Sequence, residues 1–88
     1  MGRLFRRNYD VFAAPLEDTT LLLNTDTGTY HGLNPVATRI WELLAEPTDE
    51  ELLVRQLSNE FEITPEDCLR EVTVFLNELR ERKLLVDA

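Results

Sequence analysis

The run Thr27-Gly28-Thr29-Tyr30-His31-Gly32-Leu33-Asn34-Pro35-Val36-Ala37-Thr38-Arg39-Ile40-Trp41-Glu42-Leu43-Leu44 changes its repeat halfway along, and that change decides the fold. Up to Leu33 it is a short strand-like segment behind a glycine suited to positive φ, the second arm of a hairpin. Asn34-Pro35 then supplies an N-cap and a proline at the first helical position. Beyond it Ile40, Trp41 and Leu44 recur at helical spacing, with Val36 or Ala37 one turn earlier. A strand therefore passes directly into a helix whose apolar face, with Trp41 as anchor, points at a core.

Working toward the N-terminus, Asn24-Thr25-Asp26-Thr27-Gly28 is dense in turn formers. Thr19-Thr20-Leu21-Leu22-Leu23 precedes it and is β-branched and apolar. Two such segments around an Asx/Gly turn predict a hairpin. Tyr9–Ala13, before Pro15, predicts one further strand. Residues 1–7 are basic and are expected to lie outside the ordered part of the domain.

Working toward the C-terminus, Pro47 ends the first helix, and Thr48-Asp49-Glu50-Glu51 has the form of a capping box for the second. Leu52, Leu53, Leu57 and Phe61 form its expected apolar stripe. Thr64-Pro65-Glu66-Asp67 opens a third helix with acids where the helix dipole favours them. Advancing about 100° per residue, Leu69, Val72, Leu76 and Leu79 share one face. Cys68 and Phe75 border that face, Glu71, Glu78 and Arg82 come next, and Val74 points further toward solvent. Leu84-Leu85-Val86 is expected to fold back onto the core. Strands first, then capped helices, predict an α+β fold. The form expected is a winged helix-turn-helix, a three-stranded antiparallel sheet followed by three helices. Residues 1–88 are too few for a second core, so they read as a single domain.

Composition narrows the function. The chain has 88 residues, 43% of them hydrophobic, and a net charge of −8. That charge repels phosphate backbones and anionic lipid, and disfavours both nucleic acid and membrane as partners. As a DNA reader the third helix would offer Glu66, Asp67 and Glu71 against Arg70, and the hairpin tip brings an acid and no base. No apolar run approaches the roughly 20 residues of a membrane span, and the basic start lacks the apolar stretch of a signal peptide. A cytoplasmic protein is the expectation.

Chemistry is sparse. Cys68 is the lone cysteine and His31 the lone histidine. A Cys–His pair has no third, orienting group suggested by spacing, and Cys68 on a helix border reads as a packing residue. The acids are spread over helix caps and solvated faces, without metal-loop spacing, and the glycines form no phosphate loop. No catalytic residue, metal site or cofactor is expected. What remains is a surface: Phe75, Val74 and Cys68 widen the third helix's apolar band on one side only. A third-strand edge carrying Tyr30, His31 and the small Gly32 is able to accept an extended chain. The same edge is able to pair two copies of the protein as a homodimer.

The motif from Thr27 to Leu44 resembles the PqqD-like family, whose members show a TG-x-Y-x-x-LN-x-x-A/G-x-x-I/V-W-x-L-L pattern. Leu53–Phe61, Thr64-Pro65-Glu66-Asp67, Val72–Phe75 and Leu79–Leu85 extend the resemblance over roughly residues 9 to 86. Lys83 departs from the pattern, since the family usually has glycine there. The resemblance implies a recognition element for ribosomally made, post-translationally modified peptides. In that family a precursor's leader adds as a strand to the third strand, in the cleft beside the third helix. It implies leader-binding positions at Thr29, Tyr30, His31, Gly32 and Leu33, and at Cys68, Glu71, Val72, Phe75, Leu76 and Glu78. The flavour is most like the split recognition protein of lasso-peptide biosynthesis, which serves a transglutaminase-like leader peptidase and an asparagine-synthetase-like cyclase. A chaperone for a radical SAM enzyme is the alternative within the family, and a winged-helix DNA-binding regulator the alternative outside it.

Overall fold

The computed structural model describes residues 3–17 and 19–88. In chain order the elements are β1 (Phe5–Arg7), β2 (Val11–Leu16), β3 (Thr19–Asn24), β4 (Thr29–Leu33), α1 (Pro35–Leu43), α2 (Glu50–Glu60), α3 (Pro65–Glu81) and β5 (Leu85–Asp87). Strands β2, β3 and β4 form an antiparallel sheet in that spatial order, so β2 and β4 are its edges. The α+β architecture, a three-stranded sheet followed by three helices, is the one expected.

The β3–β4 hairpin closes through Gly28, whose N–H donates to the Asn24 carbonyl at 2.8 Å. Gly28 sits at φ 71°, which a residue without Cβ adopts at no steric cost. Asn24 is buried and serves both ends of this turn. Its Oδ1 accepts from the Asp26 N–H at 3.0 Å, and its Nδ2 donates to the Arg82 carbonyl at 3.3 Å, tying the hairpin to the end of α3. Strand β2 runs through Pro15, beyond the boundary expected from sequence. A proline is tolerated there because β2 is an edge and owes no second ladder of hydrogen bonds.

Side chains alternate across the sheet. Leu22 and Leu33 point inward and join Ile40, Trp41, Leu44, Leu53, Leu57, Val72, Leu76 and Leu79 in the core. Asn34 caps α1, its Oδ1 accepting from the Ala37 N–H at 2.8 Å. The cap of α2 differs from expectation. Asp49 holds it, accepting from the Leu52 N–H at 2.9 Å, while Thr48 is drawn into a bridge with Phe5. Both backbone bonds of that bridge are short, 2.8 and 2.9 Å. A strand partner from the distant N-terminus thus takes the backbone that a capping box would have used. Leu52 is exposed rather than part of the α2 stripe, whose buried members are Leu53 and Leu57.

The N-terminus is the larger correction. Phe5–Arg7 is a strand rather than a disordered lead-in. It pairs with β5 through Phe5↔Asp87, Arg6↔Val86 and Arg7↔Leu85. Phe5 is buried and Arg80 lies over its ring. Met1 and Gly2, also expected to be disordered, lie outside the described residues. The C-terminal leucines do fold back: Leu84 and Leu85 are both buried. They are turned by a Schellman ending on α3, with Leu84 N–H donating to the Leu79 carbonyl and Lys83 N–H to that of Arg80. Lys83 is left-handed at φ 60°, the position where glycine is favoured.

Candidate functional site

The buried face of α3 is turned by about 30° from the face expected. Cys68, Val72, Phe75, Leu76 and Leu79 are buried, and Leu69 is 46% exposed. The five span about 100° of arc, centred near Val72 and Leu79. Leu69 lies about 20° beyond that arc, at the edge of a groove that it lines with Val54 and Ser58 of α2. Cys68 is 1% exposed, and its Sγ lies 3.8 Å from the Val54 carbonyl. Burial pushes its thiol pKa up, and the Glu71 carboxylate adds to the shift, so the thiolate is disfavoured. Cys68, Val72 and Leu76 therefore build the wall behind a site and offer no surface of their own. The same holds for Leu33 on β4.

A surface of the expected kind lies between α1 and α3, where β4 gives way to α1 at Asn34. A pocket of about 410 Å³ has an apolar floor of Val36, Ala37 and Ile40 from α1 and Val74 and Phe75 from α3. Asn34, Arg70, Glu71 and Glu78 form its polar rim. Phe75 is only 8% exposed, so it belongs both to the core and to the pocket wall. Val74 is 54% exposed and stands at the pocket mouth.

His31 connects this pocket to the strand. Its ring stacks on Phe75 with centroids 6.3 Å apart, and its Nε2 lies 3.9 Å from Glu78 Oε2. Burial lowers the His31 pKa, the Arg82 guanidinium lowers it further, and Glu78 only partly opposes them. The neutral imidazole is thereby favoured despite the nearby carboxylate. At 3.9 Å the Glu78 contact is too long for a hydrogen bond, which is why desolvation wins. Thr29, Tyr30 and Gly32 are exposed along β4, which has no partner strand on that side among the described residues.

Of the positions expected from sequence, His31, Glu71, Phe75 and Glu78 come together around one cleft, and Thr29, Tyr30 and Gly32 line the strand that borders it. The α1 side is new to the site: by sequence Asn34, Val36, Ala37 and Ile40 read only as cap and core. Their spacing did place Val36, Ala37 and Ile40 on one helical face. What the spacing lacked was that α3 crosses only part of that face. The arrangement offers an unpaired strand edge, an apolar pocket beside it and a largely charged rim of Arg70, Glu71 and Glu78 with the neutral Asn34. Among the described residues no cluster suits a metal ion, and no helix is long and apolar enough to cross a membrane.

Comparison with known proteins agrees with this geometry. The profile of the family "Coenzyme PQQ synthesis protein D (PqqD)" matches residues 19–85. A solved structure described as "TbiB1 in Complex with the TbiA(beta) Leader Peptide" is 34% identical and superposes with a TM-score of 0.82, covering 91% of this chain and 93% of that one. A second, "Lasso peptide synthetase B1 complexed with the leader peptide", is 23% identical with a TM-score of 0.80. It covers 93% of this chain and 96% of that one, and shows the likeness of fold. No curated protein matches the chain.

Proposed function

This chain belongs to the PqqD family, and from that premise we propose that it binds the leader region of a ribosomally made precursor peptide by strand addition to β4. It is a recognition protein and not an enzyme. The single observation that carries the reading is the free edge of β4 beside a pocket walled by Phe75 and Val74. Main-chain hydrogen bonds along the edge supply affinity, and the pocket selects a side chain. The TbiB1 relative, seen in complex with a leader peptide, supports the same use here. Thr29, Tyr30, His31 and Gly32 border the added strand, and Glu71, Phe75 and Glu78 face its side chains. In this reading the bound leader is presented to a separate transglutaminase-like leader peptidase, and to an asparagine-synthetase-like cyclase, in lasso-peptide biosynthesis. The setting is the cytoplasm.

The test is a titration of a fluorescein-labelled lasso-precursor leader against the protein, repeated with leaders N-methylated at one backbone position at a time. An added strand turns alternate residues toward β4, so every second N-methyl group abolishes binding and those between do not. Absence of binding, or sensitivity without that period of two, overturns the proposal. The charge on α3 predicts no shift of duplex DNA in low salt.

A further inference from the structure

The sheet has a second face that the cleft does not use. Register places Phe12, Leu23 and Tyr30 in one row across the three strands, and Ala14, Leu21 and Gly32 in the next. These side chains point away from the helices, opposite to Leu22 and Leu33. Phe12 is 67% exposed, Tyr30 64% and Leu16 54%. None of the three strands carries a charged residue, in a chain that is 30% charged. With strands about 4.8 Å apart and about 3.4 Å per residue, the platform measures about 250 Å². That is the size of an interface centre, inside a footprint of about 800 Å² per partner.

The segments that lead into and connect the strands carry charge of one sign. From Asn8 to Thr38 the chain carries Asp10, Glu17, Asp18 and Asp26 and no lysine or arginine. Asp10, Glu17 and Asp26 are exposed in the segments that lead into and connect the strands. A second copy laid on this face would bring acid against acid around a closed apolar contact, with no base from the strands or their connections to offset it. A partner whose apolar face is ringed by lysine and arginine meets no such penalty.

We propose that the outer face of the β2–β3–β4 sheet is a docking surface for a folded protein with an apolar, basic-rimmed contact face. On the adaptor reading above, on which this identification rests, that partner is the leader peptidase to which the peptide is passed. The face lies across the sheet from the Phe75 pocket, so the pocket that takes the peptide's side chain and the Phe12–Leu16 side of the platform are separate, and the two partners meet only along β4, at Tyr30 and Gly32.

The experiment measures association with the lasso leader peptidase by calorimetry, with and without leader, and leader affinity by fluorescence, for the wild type, the double variant Phe12→Ser/Leu16→Ser and the triple variant Asp10→Lys/Glu17→Lys/Asp26→Lys. Far-UV circular dichroism and thermal melts verify folding; the altered side chains are exposed and the triple variant touches no core residue. The expected result is at least a tenfold loss of peptidase association in both variants, with leader affinity within twofold of wild type. Unchanged association in both variants overturns the docking surface, as does a wild type that does not associate at all. A concentration-dependent dimer that Phe12→Ser/Leu16→Ser abolishes overturns it in favour of a second copy. If leader binding fails while peptidase association is present and lost in the variants, the peptide proposal falls and the docking surface stands.

Discussion

Replacing Phe75 with alanine removes a core residue and a binding residue at once, because Phe75 is both. The ring is 8% exposed and stacks on His31 at 6.3 Å with 28° between the planes. Truncating a buried phenylalanine costs about 3–5 kcal/mol. One side of this ring faces the pocket, so water fills part of the vacated space, and a cost near the low end, about 3 kcal/mol, is expected. That is a large share of the roughly 5–15 kcal/mol that holds a domain folded. Weaker peptide binding by Phe75→Ala would therefore mix lost contacts with lost folding. Val74→Asp resolves the two. Val74 is 54% exposed at the same pocket, so the change alters stability by about 0.5 kcal/mol or less. It places a carboxylate at an apolar mouth already rimmed by Glu71 and Glu78, and is expected to weaken leader binding at least about tenfold, or about 1.4 kcal/mol. Urea unfolding followed by Trp41 fluorescence gives the first quantity and leader titration the second. Wild-type stability in Phe75→Ala would refute the placement of that ring in the core. Full affinity in a folded Val74→Asp would refute the pocket as the peptide's side-chain site.

Three further outcomes follow from individual residues. Lys83→Gly relieves a left-handed residue at φ 60°; allowing for the greater freedom of glycine in the unfolded chain, it stabilises by about 0.5–1 kcal/mol and raises the urea midpoint. His31 has a lowered pKa in the folded state, so folding disfavours its protonation. The stability tied to its neutral form is present above the unfolded value of about 6.5 and is lost as pH falls from there toward the lowered folded value. Thermal melts at pH 7.5 and 5.5 should show a loss in the wild type that His31→Gln lacks, over and above the shared acid response of the carboxylates. Cys68, buried and with its thiol pKa raised, should resist iodoacetamide in the native state and react only once denaturant unfolds the chain; mass spectrometry of the two samples reads this directly.

Much of the fold was legible locally. Gly28 marks its turn because only a residue without Cβ takes φ 71° freely, and Asn34-Pro35 marks a helix start because cap and ring both act within one turn. Phe5–Arg7 was illegible for the opposite reason. A three-residue, arginine-rich segment has no strand pattern, and its partner β5 lies at the other end of the chain. Thr48 illustrates the same limit: its capping signal was sound, but a bridge to Phe5 outweighed it.

The candidate site divides along the same line. The amino-acid sequence by itself determined the strand–helix junction at Asn34, the amphipathic third helix and an acidic surface unsuited to phosphate. Each follows from neighbours within a turn or from charge, which adds up without regard to geometry. Only the tertiary structure decided which side of α3 is covered. Cys68 and Leu69 are adjacent and both apolar, and their positions on the wheel alone do not say that α2 covers Cys68 completely and leaves Leu69 half exposed at the edge of a groove. Only the structure made α1 a pocket wall, and only strand register gathered Phe12, Leu23 and Tyr30 into one exposed row. Periodicity says that a face exists; what packs on it depends on how far each neighbouring element extends, and that is set by contacts between residues distant in the chain.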